Sequence, residues 1–167
     1  MRIIVFLQIA EDSVVADLGA GGGWFTVRLA RRVLPHGIVY AEDVQRLMIE
    51  AIQRRVQREG LTNVKTVLGG YDDPFPDMPP NMLDAVLIVD TFQEMEHPVV
   101  LLQNVARTLK PGGLIGIIDY RQGEGGPGPD SPRVAPAAII EAAKQAGLKL
   151  VGQDKFLPYQ FFLRFGK

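Results

Sequence analysis

Four glycines in five positions, Gly19 and Gly21 to Gly23, follow Asp17 in the stretch DLGAGGGW, between the apolar run SVVADL and the amphipathic run WFTVRLARRV. Each glycine costs backbone entropy on folding, and one would suffice to cap a turn. The run therefore marks a place where something approaches the main chain closely. A loop of this kind offers its N–H groups, together with the N-terminus of the following helix, to a carboxylate or a phosphate, and the missing Cβ atoms let that ligand touch the backbone. Asp43 closes the next apolar run, GIVYAED. There it suits a ribose diol, whose hydroxyls it accepts, and it repels a 2′-phosphate.

A second group with chemistry in it is DTFQEMEHP, which brings Asp90, Glu94 and His97 to the end of another apolar run. Any of the three is a candidate general base, and none is singled out by its spacing. Glu94 and Glu96 also read as solvated charges, His97 as a turn residue before Pro98, and Trp24 as core packing. The chain has no cysteine and only two histidines, His36 and His97. That excludes disulfides, thiolate metal sites and a cysteine nucleophile, and it argues against a histidine-built zinc site, so no metal is assigned.

The 167 residues carry a net charge of −1, with 47% hydrophobic and 22% charged residues. This is the composition of one ordinary globular domain. It supplies no positive field for nucleic acid or an anionic membrane. The opening MRIIVFLQIAEDS falls well short of the roughly 20 apolar residues that cross a bilayer and lacks a cleavage signature. A cytoplasmic protein is expected, with residues 1–12 a short N-terminal segment and 13–167 a single domain. The run Ile3 to Leu7 packs on its own domain in the preferred reading and builds a homodimer contact in the other.

Stepping from these residues to the elements that carry them, short apolar runs alternate with helical periodicities, the pattern of successive βα units on a parallel sheet. SVVADL, GIVYAED, NVKTVLG, MLDAVLIVD and LIGIIDY read as strands. Between the first three, helices are expected on the stripes Phe25, Leu29, Val33 and Val44, Leu47, Met48, Ala51, Ile52. YDDPFPDMPPN, with four prolines, is a loop, and KPGG is a turn into the fifth strand. Leu102, Val105, Ala106 and Leu109 mark a further helix, and Pro136 opens the last one, with Gly147 as its terminator. The stretch RQGEGGPGPDSPRVAP before it reads as either a flexible lid or a disordered loop. LKLVGQDKFLPYQFFLRFGK reads as two antiparallel strands around Leu157 and Pro158.

A dinucleotide fingerprint G-x-G-x-x-G beginning at Gly19 or Gly21 needs glycine at position 24 or 26, where Trp24 and Thr26 stand. The pattern present, D-x-G-x-G-x-G, resembles the first motif of the class I S-adenosylmethionine-dependent methyltransferases. VYAEDV, LDAVLIVDTFQEM, LKPGGLIGIID and YQFFLRF resemble that family's second, fourth, fifth and seventh strands, in order, so the resemblance runs from Val14 to the end. It implies an α/β three-layer sandwich whose seven-stranded Rossmann-like sheet is mostly parallel with an antiparallel last strand. It also implies S-adenosylmethionine as cofactor and a small or medium-sized molecule as methyl acceptor.

Residue by residue, the resemblance sets Gly19, Ala20, Gly21 and Gly23 against the methionine moiety, with Asp17 ordering the loop and helping to hold the ammonium group. Asp43 takes the ribose hydroxyls, Val44 lies beside the adenine, and Asp90, Thr91 and Phe92 face the sulfur end. An acid that the family often places after the third strand is Gly70 here, leaving Tyr71 or Asp72 to face the adenine amino group. No catalytic residue is assigned, because methyl transfer from a sulfonium mostly requires alignment at about 3 Å. Two alternatives stay open: a non-catalytic methyltransferase-like binding module, suggested by Gly70, Gln93 and the short segment before the first strand, and a nicotinamide-dependent oxidoreductase, which Trp24 argues against.

Overall fold

The computed structural model describes residues 2–123, 126 and 132–167. The glycine and proline stretch read as a lid or a disordered loop lies partly outside the described residues. Seven strands form one sheet: β1 (Val14–Leu18), β2 (Ile38–Asp43), β3 (Val64–Leu68), β4 (Leu83–Val89), β5 (Leu109–Tyr120), β6 (Lys149–Asp154) and β7 (Gln160–Gly166), in the order β3-β2-β1-β4-β5-β7-β6. The pairs from β3 through β5 are parallel, and β7 runs antiparallel between β5 and β6. This is the expected mostly parallel Rossmann-like sheet with its antiparallel last strand.

Helices cover both faces. On one, α1 (Arg2–Phe6) and α2 (Trp24–Arg32) pack with Val15, Leu87, Ile118 and Phe162; on the other, α4 (Pro98–Thr108) and α5 (Pro136–Gln145) pack with Leu18, Ile88, Ile117 and Leu163. Neighbouring residues of a strand thus face opposite layers, which is why a strand buried on both sides reads as an unbroken apolar run. α3 (Arg46–Arg58) covers β2 through Ile49 and Ile52.

Several expectations are corrected. The α3 stripe is displaced: Val44 precedes the helix, Leu47 points to solvent at 70% exposure, and the buried positions are Ile49 and Ile52. KPGG is not a turn outside the sheet, since β5 already begins at Leu109, which pairs Leu83 before the register shifts and Leu114 pairs Ala85. The opening run, to which periodicity assigns no element, is helix α1. It buries Ile3, Ile4 and Leu7 in its own domain, as preferred, and Gly116 leaves the room, because a Cβ there would stand 2.8 Å from Leu7 Cδ2. Its β-branched residues carry little helix propensity, so tertiary burial decides.

The chain runs β1, β2, β3 toward one edge and then returns to β4 beside β1. Order reverses between β1 and β4, and beyond their carboxyl ends the diverging loops leave a crevice. The glycine loop exits β1 there, and the turn Asp90–Thr91 exits β4.

Candidate functional site

A cavity of about 300 Å³ opens at this reversal, between the glycine loop, the end of β2, the loop after β3 and the turn after β4. What approaches the glycines is protein as well as empty space. A Cβ on Gly19 (φ +67°) would meet Thr91 Cγ2 and Oγ1 at 2.5 Å, so the loop can lie against the β4 turn only without a side chain. Gly23 (φ +78°) caps α2 in the left-handed region and packs on Ile52. Nothing lies within 4 Å of a Cβ on Gly21, which faces the cavity.

The loop's amides do not stand open to an anion, contrary to the expectation from glycine content. Gly19 N–H donates to Glu42 Oε2 at 3.1 Å, Ala20 N–H to the Glu42 carbonyl at 2.8 Å, and Gly21 N–H to Asp43 Oδ2 at 3.0 Å. Asp43 Oδ1 accepts the Gln45 amide at 2.9 Å. Parallel pairing of β1 with β2, Leu18 opposite Glu42, brings the two acids beside the loop. Each Asp43 oxygen keeps acceptor capacity beyond the bond it makes, and the residue lines the cavity.

Of the residues marked in the sequence, Gly19, Gly21, Asp43 and Val44 line the cavity, as do Gly70, Tyr71, Asp90 and Thr91. The others stand behind this wall. Asp17 is buried and accepts the Thr26 hydroxyl at 2.6 Å, tying the end of β1 to the first turn of α2. Ala20 packs toward Ile49 and Ile52, and Phe92 is buried with Leu101 and Leu102. Asp72 is turned toward α4, where its Oδ1 pairs with His97 Nδ1 at 2.9 Å and its carbonyl accepts from Asn104. Trp24 is not core: it is 48% exposed, lies outside the cavity lining, and carries the Arg28 guanidinium on its ring.

Sequence reasoning missed Glu42, Met48, Met95 and Leu101, which also line the cavity, and weighed Glu94 as a base or a solvated charge rather than as part of the cofactor pocket. Glu42 left one signal, a second acid inside an apolar strand. Only 2% exposed, it presses on Gly69, where any Cβ would collide with its carboxylate. Burial pushes the Glu42 carboxyl up to about 8, against the pull of the Gly19 amide and helped by Asp43 and Asp17. Burial likewise raises Asp17 to about 6, opposed by Thr26.

The described lining thus holds Glu42, Asp43, Asp90 and Glu94 and no lysine or arginine. An acidic recess with a hydrogen-bond acceptor at Asp43 suits a ligand with a cationic centre and a sugar diol better than a polyphosphate, whose charge it repels.

Comparison with known proteins gives the same frame. A family model described as a methyltransferase domain matches residues 15–113. The demethylmenaquinone methyltransferase of Geobacillus stearothermophilus is 29% identical over 117 residues, 70% of this chain and 49% of that protein. The ubiquinone/menaquinone biosynthesis C-methyltransferase UbiE of Burkholderia multivorans is 28% identical over 106 residues, 64% of this chain and 42% of that protein. The chain spans about half the length of the curated relatives it matches. Among solved structures, a SAM dependent methyltransferase from Aquifex aeolicus superposes with a TM-score of 0.90 at 26% identity, covering 98% of this chain and 87% of that one.

Proposed function

The chain belongs to the S-adenosylmethionine-dependent methyltransferase family, and on that premise we propose that the cavity at Gly19 and Asp43 binds the cofactor and that its mouth receives a small or medium-sized methyl acceptor. The observation that carries this reading is the acidic recess at the β1–β4 reversal, with Asp43 at its wall and no arginine among its described lining. When bound, S-adenosylmethionine supplies a methyl group on a positively charged sulfur.

The chain's own residues have four tasks in this reading. Asp43, held by the Gly21 and Gln45 amides, accepts the ribose hydroxyls through its remaining lone pairs. Asp90 and Glu94 offset the charge of the sulfonium and the ammonium. Gly19 and Gly21 let the ligand lie against the backbone, and Asp17, through Thr26, keeps the loop in place. Val44 and Met48 offer apolar contact to the base, with Tyr71 and Gly70 across from them.

The acceptor side is bordered by Val89, Met95 and Leu101 as well as by carboxylates. A flat, partly apolar acceptor suits these walls, and quinone rings, which stand in the names of the Geobacillus and Burkholderia relatives, are the first to try. Calorimetry with S-adenosylhomocysteine tests the site: binding with a Kd in the micromolar range is expected, and no heat at millimolar ligand sinks the reading. Transfer of labelled methyl from S-adenosylmethionine to quinols, phenols and amines then tests the activity. Binding without transfer to any of them favours a non-catalytic module.

A further inference from the structure

Asp119, the last residue of the LKPGGLIGIID stretch and given no role by it, lies one residue before the end of β5, beside the turn that follows β4. It is 1% exposed. Its Oδ1 accepts the Tyr120 amide at 2.8 Å, while among the described residues no donor reaches the buried Oδ2. Val89 pairs Ile118, so the next residue, Asp90, stands beside Asp119, and its carboxyl acts on that of Asp119. Asp90 in turn lines the cavity, is exposed at its mouth, and holds a left-handed backbone, φ +52°, that a non-glycine residue adopts only under constraint. Its amide donates to the Ile118 carbonyl at 2.8 Å, and Gln93 Nε2 donates to its carbonyl at 3.0 Å and to Oδ1 at 3.3 Å. Sheet pairing and turn geometry therefore fix one carboxyl at the cavity and another behind it.

Two carboxylates cannot bond each other unless one carries a proton. We propose that Asp90 and Asp119 share a single proton and act together as the proton acceptor for the methyl acceptor, with Asp90 touching the substrate and Asp119 positioning and sharing the proton from behind. The inference rests on the cofactor reading above and adds to it an acceptor class, one whose attacking atom sheds a proton, such as a phenol, a hydroquinone or an enol. In the step, a lone pair of the attacking atom forms the bond to the methyl carbon and the pair of the breaking C–S bond stays on sulfur. The acceptor's proton passes to Asp90, is shared with Asp119, and leaves to water.

The surrounding charges agree with this. Burial raises the Asp119 carboxyl to about 6, the Asp90 charge and hydrogen bond add to the rise, and the Tyr120 amide and Arg133 oppose it. Tyr120 is itself held above its ordinary value by burial and by Asp90. Across the sheet, β7 presents Phe161 and Gln160, which bring no charge. The raised Asp119 carboxylate thus holds a proton passed on by Asp90 more firmly than an ordinary carboxylate does.

Carbon NMR of the protein labelled at its aspartate carboxyls decides whether the proton is shared. The Asp119 resonance should pass through a step near pH 6, and in Asp90→Asn that step should fall by roughly one pH unit or more as the like charge is removed. An unmoved step in that variant, or an Asp119 ionised throughout, overturns the pair. Asp119→Asn keeps the size of the side chain and should bind S-adenosylhomocysteine like the parent protein. In transfer to 1,4-naphthohydroquinone, it should lower the plateau of kcat/KM about tenfold and move the acid limb below pH 6, whereas Asp90→Asn should cost about a hundredfold. An acid limb that stays in place in Asp119→Asn, or no transfer to this probe while S-adenosylhomocysteine binds, overturns the proton-acceptor role and leaves the cofactor reading standing. Loss of S-adenosylhomocysteine binding by the parent protein sinks the cofactor reading, and the NMR step still decides the shared proton.

Discussion

Glu42 is the residue whose ionisation the fold opposes most. In the folded chain it titrates at about 8 against an ordinary 4.5, so the folded state holds an extra proton between those values. Stability linked to it is complete below about pH 4.5 and drains as pH rises to 8. Asp17 and Asp119, each raised to about 6 from 3.8, act in the same sense at lower pH. Stability should therefore fall between about pH 5 and 8, by on the order of a few kcal/mol. Glu42→Gln should flatten the stretch from pH 6 to 8, as read from urea midpoints, and a parent protein with a flat profile there would contradict the burial argument. Gly19 is constrained twice, by its φ and by Thr91. Gly19→Ala should cost about 1–3 kcal/mol and weaken S-adenosylhomocysteine binding at least tenfold; thermal melts and calorimetry check both.

At the scale of elements, the site is made by strand ends and by the loops that neighbouring helices hold. The proline-rich loop after β3 has no helix of its own and is anchored by Phe75, 1% exposed, and by Arg107 of α4, whose Nη1 donates to the Met78 carbonyl at 2.8 Å and Nη2 to that of Phe75 at 3.4 Å. Arg107→Ala should leave the sheet intact but loosen residues 71–82, with faster amide exchange there and several-fold weaker cofactor binding through Tyr71 and Pro74; unchanged exchange in the loop would show that Phe75 alone holds it. The loop was legible because its prolines forbid a helix. Its direction was not: Asp72 turns to His97 and Asn104 on α4, away from the cavity, a choice made by elements remote in the chain. For the same reason the α3 stripe keeps Ile52, adds Ile49 and loses Leu47 to solvent, since β2 and β3 select which apolar residues are covered.

For the molecule as a whole, a ligand that binds the folded state alone raises its stability by RT ln(1 + [L]/Kd), about 2.7 kcal/mol at a hundredfold excess over Kd. S-adenosylhomocysteine should thus raise the Tm by several degrees, and a melt unmoved by saturating ligand would deny it a site in the folded chain. No helix among the described residues is long and apolar enough to cross a membrane. What the sequence determined unaided was the order of strands and long helices from β1 onward, the parallel sheet and the glycine turn after β1, because apolar period and glycine content are local properties written along the chain. The spacing of Asp17, Gly19, Gly21 and Gly23 carried the family in the same way. Only the tertiary structure decided that the loop amides bond Glu42 and Asp43, that Asp119 stands behind Asp90, and that Trp24 lies outside the cavity. Those facts depend on which strand lies beside which, and a buried carboxyl is defined by neighbours that pairing brings to it from distant positions, not by the residues next to it in sequence.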